Sequence, residues 1–145
     1  MAAKRSARVV WNGDLAHGSG TVSGTSGTFV HVPVSWASRT EAPGGKSSPE
    51  ELLAAAEASC FSMALSAGLG RQQKPPTKLE VSATATFDKV GEAWKVTTME
   101  LEVVGTVPGI APAEFEAAAK AASEGCPISG ALKGNVAVSV RARLG

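Results

Sequence analysis

The chain has 145 residues, of which 43% are hydrophobic and 19% are charged, and its formal net charge at pH 7 is +1. This length suits one domain with a buried core, and the small net charge indicates no polyanionic partner such as a nucleic acid. The only local basic cluster, at Lys4, Arg5 and Arg8, is expected to be a solvated terminus. No apolar run reaches the ~18 residues of a membrane span, so no membrane association is expected.

Hydrophobic alternation and turn residues predict an α+β domain with antiparallel strands in the order βββ-α-ββ-α-β. A three-stranded meander and the central helix span residues 7–70, and a long hairpin, a helix and a last strand span 79–143. A polar loop, 35–47, precedes the central helix, and 71–78 is the candidate boundary between the two halves. The predicted elements are strands 7–11, 21–23 and 28–34, helix 48–68, strands 79–87 and 94–107 (the second bulged or bent), helix 112–123, a possible helical turn 127–132 and strand 135–141.

The central helix has clear end signals. Ser48 can cap its first turn, and Glu51 completes a Ser-x-x-Glu capping box. Gly68 and Gly70 are expected to end it. Beyond the first turn Glu57 is its only charged residue, and a helix that is apolar nearly all round is normally buried. One small sheet covers one side of such a helix, which favours a second subunit on the other side.

Cys60 and Cys126 are the only cysteines. The N-terminus lacks the pattern of a signal peptide, so we expect the cytoplasm, where such thiols are inert, metal-bound or redox-active. A metal is not expected, because His17 and His31 add no close ligand spacing. Cys60 could be a small buried hydrophobe, whereas Cys126 would lie at the start of a helical turn, where thiolate is favoured. A nucleophile and its resolving partner is the alternative for the pair.

Glu50 and Arg39 are candidate partners of a reactive thiol. Because Glu51 takes the capping position, Glu50 has no structural duty beyond a favourable interaction with the helix dipole. Arg39 is either a solvated side chain or the partner of Glu50 in an ion pair, and its guanidinium would stabilise a nearby thiolate.

Helix geometry restricts how Glu50 and Cys60 can cooperate. They are ten residues apart on one predicted helix, so their backbones are ~15 Å apart. If Glu50 serves a cysteine, that cysteine belongs to another copy of the chain. A two-fold dimer with antiparallel central helices would then contain two composite sites.

Five stretches of the sequence resemble the osmotically inducible protein C (OsmC) family, which is related to the organic hydroperoxide resistance (Ohr) proteins. The central helix, Ser48–Ser66, is similar to the family's central helix, and Trp11–Asp14 to its first strand and turn. Ser38–Glu41 lies where the OsmC branch has its arginine. Val107–Ile110 and Gly125–Ser129 resemble the region of the family's second cysteine.

The resemblance covers residues 7–143 and implies an OsmC-like fold, an intertwined homodimer and thiol peroxidase activity towards organic hydroperoxides, with hydrogen peroxide left open. Cys60 would attack the peroxide and become a sulfenic acid, and Cys126 would condense with it to a disulfide. Arg39 and Glu50 would be the activating pair. An external dithiol, either a lipoylated protein or a small dithiol, would reduce the disulfide, with no metal or bound cofactor.

Two other functions remain open at this point. A non-catalytic redox sensor or binding protein could use the same cysteine pair as a switch. A hydrolase with Cys60 as acyl nucleophile would need a general base, and neither His17 nor His31 is recognisably placed for it.

Overall fold

A computed structural model describes residues 1–145 of the chain. It contains six strands and four helices, which confirms the predicted α+β class. The elements are β1 (Ala7–Asn12), β2 (Ser19–Gly24), β3 (Val32–Val34), α1 (Trp36–Thr40), α2 (Pro49–Arg71), β4 (Lys78–Val90), β5 (Ala93–Thr106), α3 (Pro112–Gly125), α4 (Pro127–Leu132) and β6 (Ala137–Leu144).

The chain divides into two compact units, Met1–Leu52 and Leu53–Gly145. The division falls inside α2 and not at the 71–78 segment that the sequence suggested. The single domain therefore remains a prediction.

The first unit contains the predicted antiparallel meander, in the order β1-β2-β3. Its third strand is shorter than predicted, because His31 has a φ of +52° and ends the extended backbone. The His31 N–H donates to Ser23 Oγ at 2.9 Å instead of pairing in the sheet. β1 is exposed along its whole length, and Trp11 on it is 40% exposed.

The segment 35–47, predicted as a loop, contains the short helix α1. Two serines start this helix by reciprocal bonds: the Ser38 N–H donates to Ser35 Oγ at 3.2 Å, and the Ser35 N–H donates to Ser38 Oγ at 3.0 Å. This is a capping box with serine in place of the usual glutamate. The prediction of a loop was wrong because it rested on polarity and not on capping.

The second unit contains a mixed sheet with the strand order β4-β5-β6. β4 and β5 form the predicted antiparallel hairpin, and the pairing register shifts between Thr86 and Phe87, which confirms the predicted bulge. β6 pairs with β5 in parallel, so the prediction of antiparallel strands fails for this pair. Parallel neighbours need a long crossover connection, and here α3 and α4 form it.

α2 runs three residues beyond the predicted end. Gly68 and Gly70 stay helical, and the helix ends where Gln73 takes a φ of +57°. The Lys74 N–H then donates to the Leu69 carbonyl at 2.9 Å and closes the last turn. Glycine inside a helix costs only about 1 kcal/mol, which tertiary packing can offset.

Within the single chain α2 is buried on one face only, which corrects the prediction of a helix buried nearly all round. Beyond its first turn the buried stripe is Glu57, Phe61, Leu65 and Leu69, spaced four residues apart, whereas Met63 is 71% exposed. α2 is also long and apolar enough to cross a membrane by length and composition alone, with a mean hydropathy of 1.5 in an 18-residue window that is 22% buried. The expectation that no apolar run is long enough for a membrane span was therefore wrong for α2, although core helices of soluble proteins pass the same test.

The core of the second unit lies between this stripe, the sheet and α3. Phe61, Leu65 and Phe115 are fully buried there. Phe115 of α3 packs directly over Gly105 of β5, where a Cβ atom would collide with its ring. Glycine at this position therefore lets α3 approach the sheet and fixes the position from which α4 continues.

Candidate active site

In the first unit, the structure brings Arg39 and Glu50 together. Arg39 Nη2 donates to Glu50 Oε1 at 2.6 Å, and Arg39 Nε lies 3.2 Å from both carboxylate oxygens. The Glu50 side chain is 9% exposed and the Arg39 side chain 29%. This charge-assisted contact holds the guanidinium in one orientation.

The helix cap explains why Glu50 is free for this contact. The Glu51 N–H donates to Ser48 Oγ at 3.1 Å, as the capping box predicts. The second half of the box differs, since the Glu51 carboxylate accepts from the Ser47 hydroxyl at 3.0 Å. Glu51 thus stabilises the start of α2, and Glu50 forms the ion pair with Arg39.

Beside the Arg39–Glu50 pair, an apolar cavity of about 340 Å³ opens in the first unit. Its walls include Trp11, Val22 and Leu52, and Arg39 also lines it. Trp36 lies with its ring 5.6 Å from the Arg39 guanidinium carbon, within the range of a cation–π contact. The cavity therefore combines an alkyl-compatible wall with one fixed cation.

In the second unit, the structure brings the two cysteines together. Both are free thiols, and Cys126 Sγ donates to Cys60 Sγ at 2.7 Å. Cys126 occupies the N-cap position of α4, with Pro127 in the first turn of the helix, as predicted. A disulfide has a sulfur–sulfur distance of about 2.05 Å, so the pair needs only a small approach to form one.

The surroundings of Cys60 within the chain do not favour its thiolate. Burial raises the pKa of Cys60, the hydrogen bond from Cys126 adds to the rise, and the charges of Cys126 and Glu57 contribute less. A hydrogen bond from the Ile128 backbone N–H, in the first turn of α4, acts in the opposite direction and lowers it. All these groups belong to the second unit.

Cys60 borders a cleft of about 630 Å³ in the second unit. The cleft lies between α2 and α3, and its walls include Met63, Ala64, Ala118 and Ala122. Cys60 itself is partly exposed, whereas Cys126 is 1% exposed. A small reactant can therefore reach Cys60 more easily than Cys126.

Two neighbours of the cysteines were missed by sequence reasoning. The Ser129 hydroxyl donates to Glu57 Oε1, and Glu57 is 0% exposed. Glu57 Oε2 is buried without a hydrogen-bond partner. The available signal was the position of Glu57, the one charge inside an apolar helix, three residues before Cys60 and hence on nearly the same face. No group of three or more His, Cys, Asp or Glu side chains is arranged to hold a metal ion.

Comparison with known proteins identifies the family of the chain. Residues 42–141 match the family model described as OsmC-like protein. The peroxiredoxin OsmC of Escherichia coli K12 is 40% identical over 126 residues, covering 87% of each chain. The chain belongs to the OsmC family.

The Ohr branch is also similar to this OsmC-family chain. The organic hydroperoxide resistance protein OhrA of Bacillus subtilis is 34% identical over 94 residues, covering 63% of this chain and 64% of OhrA. The crystal structure of OhrB from the same organism superposes with a TM-score of 0.75 at 25% identity, covering 95% of this chain and 98% of OhrB. The names of these relatives support a peroxidase-like role in the family.

Proposed function

We propose that the protein is a thiol-dependent peroxidase that reduces organic hydroperoxides in defence against oxidative or osmotic stress. The observation that carries the proposal is the contact between the two thiols: Cys126 Sγ lies 2.7 Å from Cys60 Sγ. Cys60 is the partly exposed member of the pair and borders a cleft, so it is the one that meets the peroxide.

The proposed reaction has three steps, each balanced in atoms and electrons. The Cys60 sulfur attacks the terminal peroxide oxygen, the O–O bond breaks, and Cys60 becomes a sulfenic acid while the alcohol leaves with the thiol proton. Cys126 then attacks the oxidised sulfur; the S–S bond forms, and the hydroxyl leaves as water with the Cys126 proton. An external dithiol, a lipoylated protein or a small dithiol, then returns both cysteines to thiols by exchange, giving them its two protons and becoming a disulfide itself.

Arg39 and Glu50 are proposed to activate a Cys60 thiol of a second copy of the chain. Burial and neighbouring charge raise the pKa of Cys60 within its own chain, so activation needs a cation from elsewhere. A guanidinium fixed by Glu50 at 2.6 Å is suited to this, because it stabilises thiolate and does not release a proton at neutral pH.

Exposed apolar surface supports a homodimer. Met63 on α2 is 71% exposed, and Val9 and Val30 of the first unit are each 55% exposed. Each unit therefore exposes apolar side chains that a partner could cover. The proposed partner is a second copy, which would cover the exposed face of α2 and bring the apolar cavity beside Arg39 to a Cys60 thiol. The apolar wall of this cavity favours binding of an alkyl hydroperoxide over hydrogen peroxide.

A turnover assay tests the proposal. The wild type, mixed with cumene hydroperoxide and dihydrolipoamide, should consume many equivalents of peroxide, and Cys60→Ser should consume none above the background. Cys126→Ser should complete one turnover and then stop as sulfenic or over-oxidised acid, seen as a mass increase of the intact protein. A wild type that forms its disulfide once and does not turn over would instead indicate a redox sensor.

A further inference from the structure

The buried acid Glu57 has no duty in the mechanism proposed above. It is 0% exposed and accepts one hydrogen bond, from Ser129, while its Oε2 has no partner. Leaving a buried polar atom unpaired costs stability, and a well-packed apolar residue would avoid that cost. The one contact of Glu57 that can offset this cost is its hydrogen bond to Ser129.

Glu57 and Ser129 are linked to the two cysteines by position. Glu57 precedes Cys60 by three residues on α2, and Ser129 follows Cys126 by three residues at the start of α4. Residues three apart on a helix lie on nearly the same face. The Glu57–Ser129 hydrogen bond and the Cys60–Cys126 contact therefore join the same two helices, one turn apart.

Few buried side chains attach α4 to the rest of the second unit. A six-residue helix is too short to be stable on its own. Ser129 is the only residue of α4 that is buried, and its side chain bonds to no group other than Glu57. The apolar side chains Ile128 and Leu132 are only partly buried. Within α4 itself, the polar contact of Ser129 is thus the best-buried attachment, and Cys126 at the N-cap is 1% exposed.

We propose that Glu57 and Ser129 are positioning residues whose hydrogen bond keeps α4, and with it Cys126, where Cys126 can reach the oxidised Cys60. The peroxide step of this inference rests on the proposed function, but the pairing of the two cysteines does not. Preorganisation of this kind favours disulfide formation because α4 does not have to be ordered when the S–S bond forms.

The inference is tested without peroxide, by equilibrating the purified protein with mixtures of reduced and oxidised dithiothreitol. Ser129→Ala should lower the equilibrium constant for the Cys60–Cys126 disulfide about tenfold, the equivalent of one hydrogen bond. Ser129→Thr, which keeps the hydroxyl, should restore it. Glu57→Gln, which keeps an acceptor for Ser129, should change it by less than Ser129→Ala does.

Two further variants separate positioning from folding. Glu57→Met combined with Ser129→Ala leaves no buried polar atom unpaired, so this protein should fold and still show the lowered constant. Glu114→Gln is the matched control, because Glu114 also links two segments of the second unit, through Lys74 Nζ at 2.7 Å, but is exposed. It should leave the constant at the wild-type value.

Reaction with an organic hydroperoxide then tests the role of the same residues in the proposed peroxidase cycle. Ser129→Ala should form sulfenic acid at the wild-type rate but convert it to disulfide more slowly, with more over-oxidised Cys60. A wild-type disulfide constant in both Ser129→Ala and the double variant would overturn the positioning role. A lowered constant in a protein without peroxide turnover would uphold it and refute the peroxidase.

Discussion

Glu50 and Glu57 lie seven residues apart on α2, and both residues are almost inaccessible to solvent, with whole-residue exposures of 7% and 0%. Their partners differ in kind. Glu50 faces a guanidinium that contacts both of its oxygens, whereas Glu57 receives a single hydroxyl and keeps one oxygen unpaired. Glu50 is thus compensated by an opposite charge, and Glu57 is not.

The two residues illustrate two ways in which a buried acid can influence a thiol. Glu50 orients a cation, and its effect on a cysteine passes through Arg39. Glu57 contributes its negative charge to the rise in the Cys60 pKa and at the same time anchors the helix of Cys126. One acid is suited to increase reactivity, and the other restrains Cys60 while holding its partner close.

The largest expected effect is on peroxide reduction by Glu50→Gln. Without the carboxylate, Arg39 loses its charged partner and its fixed orientation, and a misplacement of about 1 Å can cost about a hundredfold in rate. We therefore expect the second-order rate constant for cumene hydroperoxide to fall about a hundredfold, measured by stopped flow with saturating dithiol.

Glu51→Gln is the matched control for this experiment, because Glu51 is the adjacent acid and bonds only to the α2 cap. Its rate should remain within about a factor of two of the wild type, since it keeps the hydrogen bond to Ser48. Co-refolding Glu50→Gln with Cys60→Ser should restore about a quarter of the wild-type sites if each site combines two copies. No recovery, with both variants dimeric, would contradict the composite site.

A smaller effect is expected on stability, in Ser129→Ala. The substitution leaves both oxygens of the Glu57 carboxylate buried without a donor, so the free energy of unfolding should fall by about 2 kcal/mol. Urea unfolding of the reduced protein measures it. Ser59→Ala on the exposed side of α2 removes a hydroxyl that bonds only to the Ala55 carbonyl, at 2.6 Å, and should cost less than about 0.5 kcal/mol. Equal losses of unfolding free energy in the two variants would mean that the Glu57 carboxylate does not need the hydrogen bond from Ser129.

The smallest expected effect is a pH dependence that comes from the raised pKa of Cys60. Above the ordinary cysteine pKa of about 8.5, the unfolded chain releases the Cys60 proton while the folded chain still holds it. The unfolded state then binds fewer protons, so stability falls as pH rises through the folded pKa. Burial and Cys126 are the main causes, and Glu57 is a lesser one.

Glu57→Gln should therefore make this alkaline loss of stability slightly smaller, and Cys60→Ser should remove the part that belongs to Cys60. Urea unfolding of the reduced protein between about pH 7 and 10 tests both. The chain has no tyrosine to titrate in the same range. A larger alkaline loss of stability in Glu57→Gln would contradict the conclusion that the Glu57 charge raises the pKa of Cys60.

Capping and periodicity predicted most of the fold. Alternation placed the β4–β5 hairpin, and the Ser48 cap placed the start of α2 within one residue. The parallel pairing of β6 was missed, because alternation shows which face of a strand is buried but not which way its neighbour runs. α1 was missed because its start is fixed by reciprocal hydrogen bonds between Ser35 and Ser38, and these leave no hydrophobic periodicity in the sequence.

The candidate site was partly accessible from the sequence. Cys60 and Cys126 were identified because they are the only cysteines. Glu50 was identified because Glu51 takes the capping position, which leaves the Glu50 carboxylate available for an ion pair with Arg39. Ser129 carried no signal in the sequence, because its role depends on which residue of a distant helix it meets. Glu57 was visible as an isolated charge, but its partner could come only from the tertiary structure.

The parallel pairing of β6 has a consequence for the order in which the protein folds during synthesis. β4 and β5 are neighbours in the chain and can pair early, but β6 is made last and can reach β5 only after α3 and α4 have been synthesised. Cys126 lies on that crossover. The crossover is tied to the sheet at both ends only after β6 has docked, so before that the packing of α3 and the Glu57–Ser129 hydrogen bond alone hold Cys126 beside Cys60.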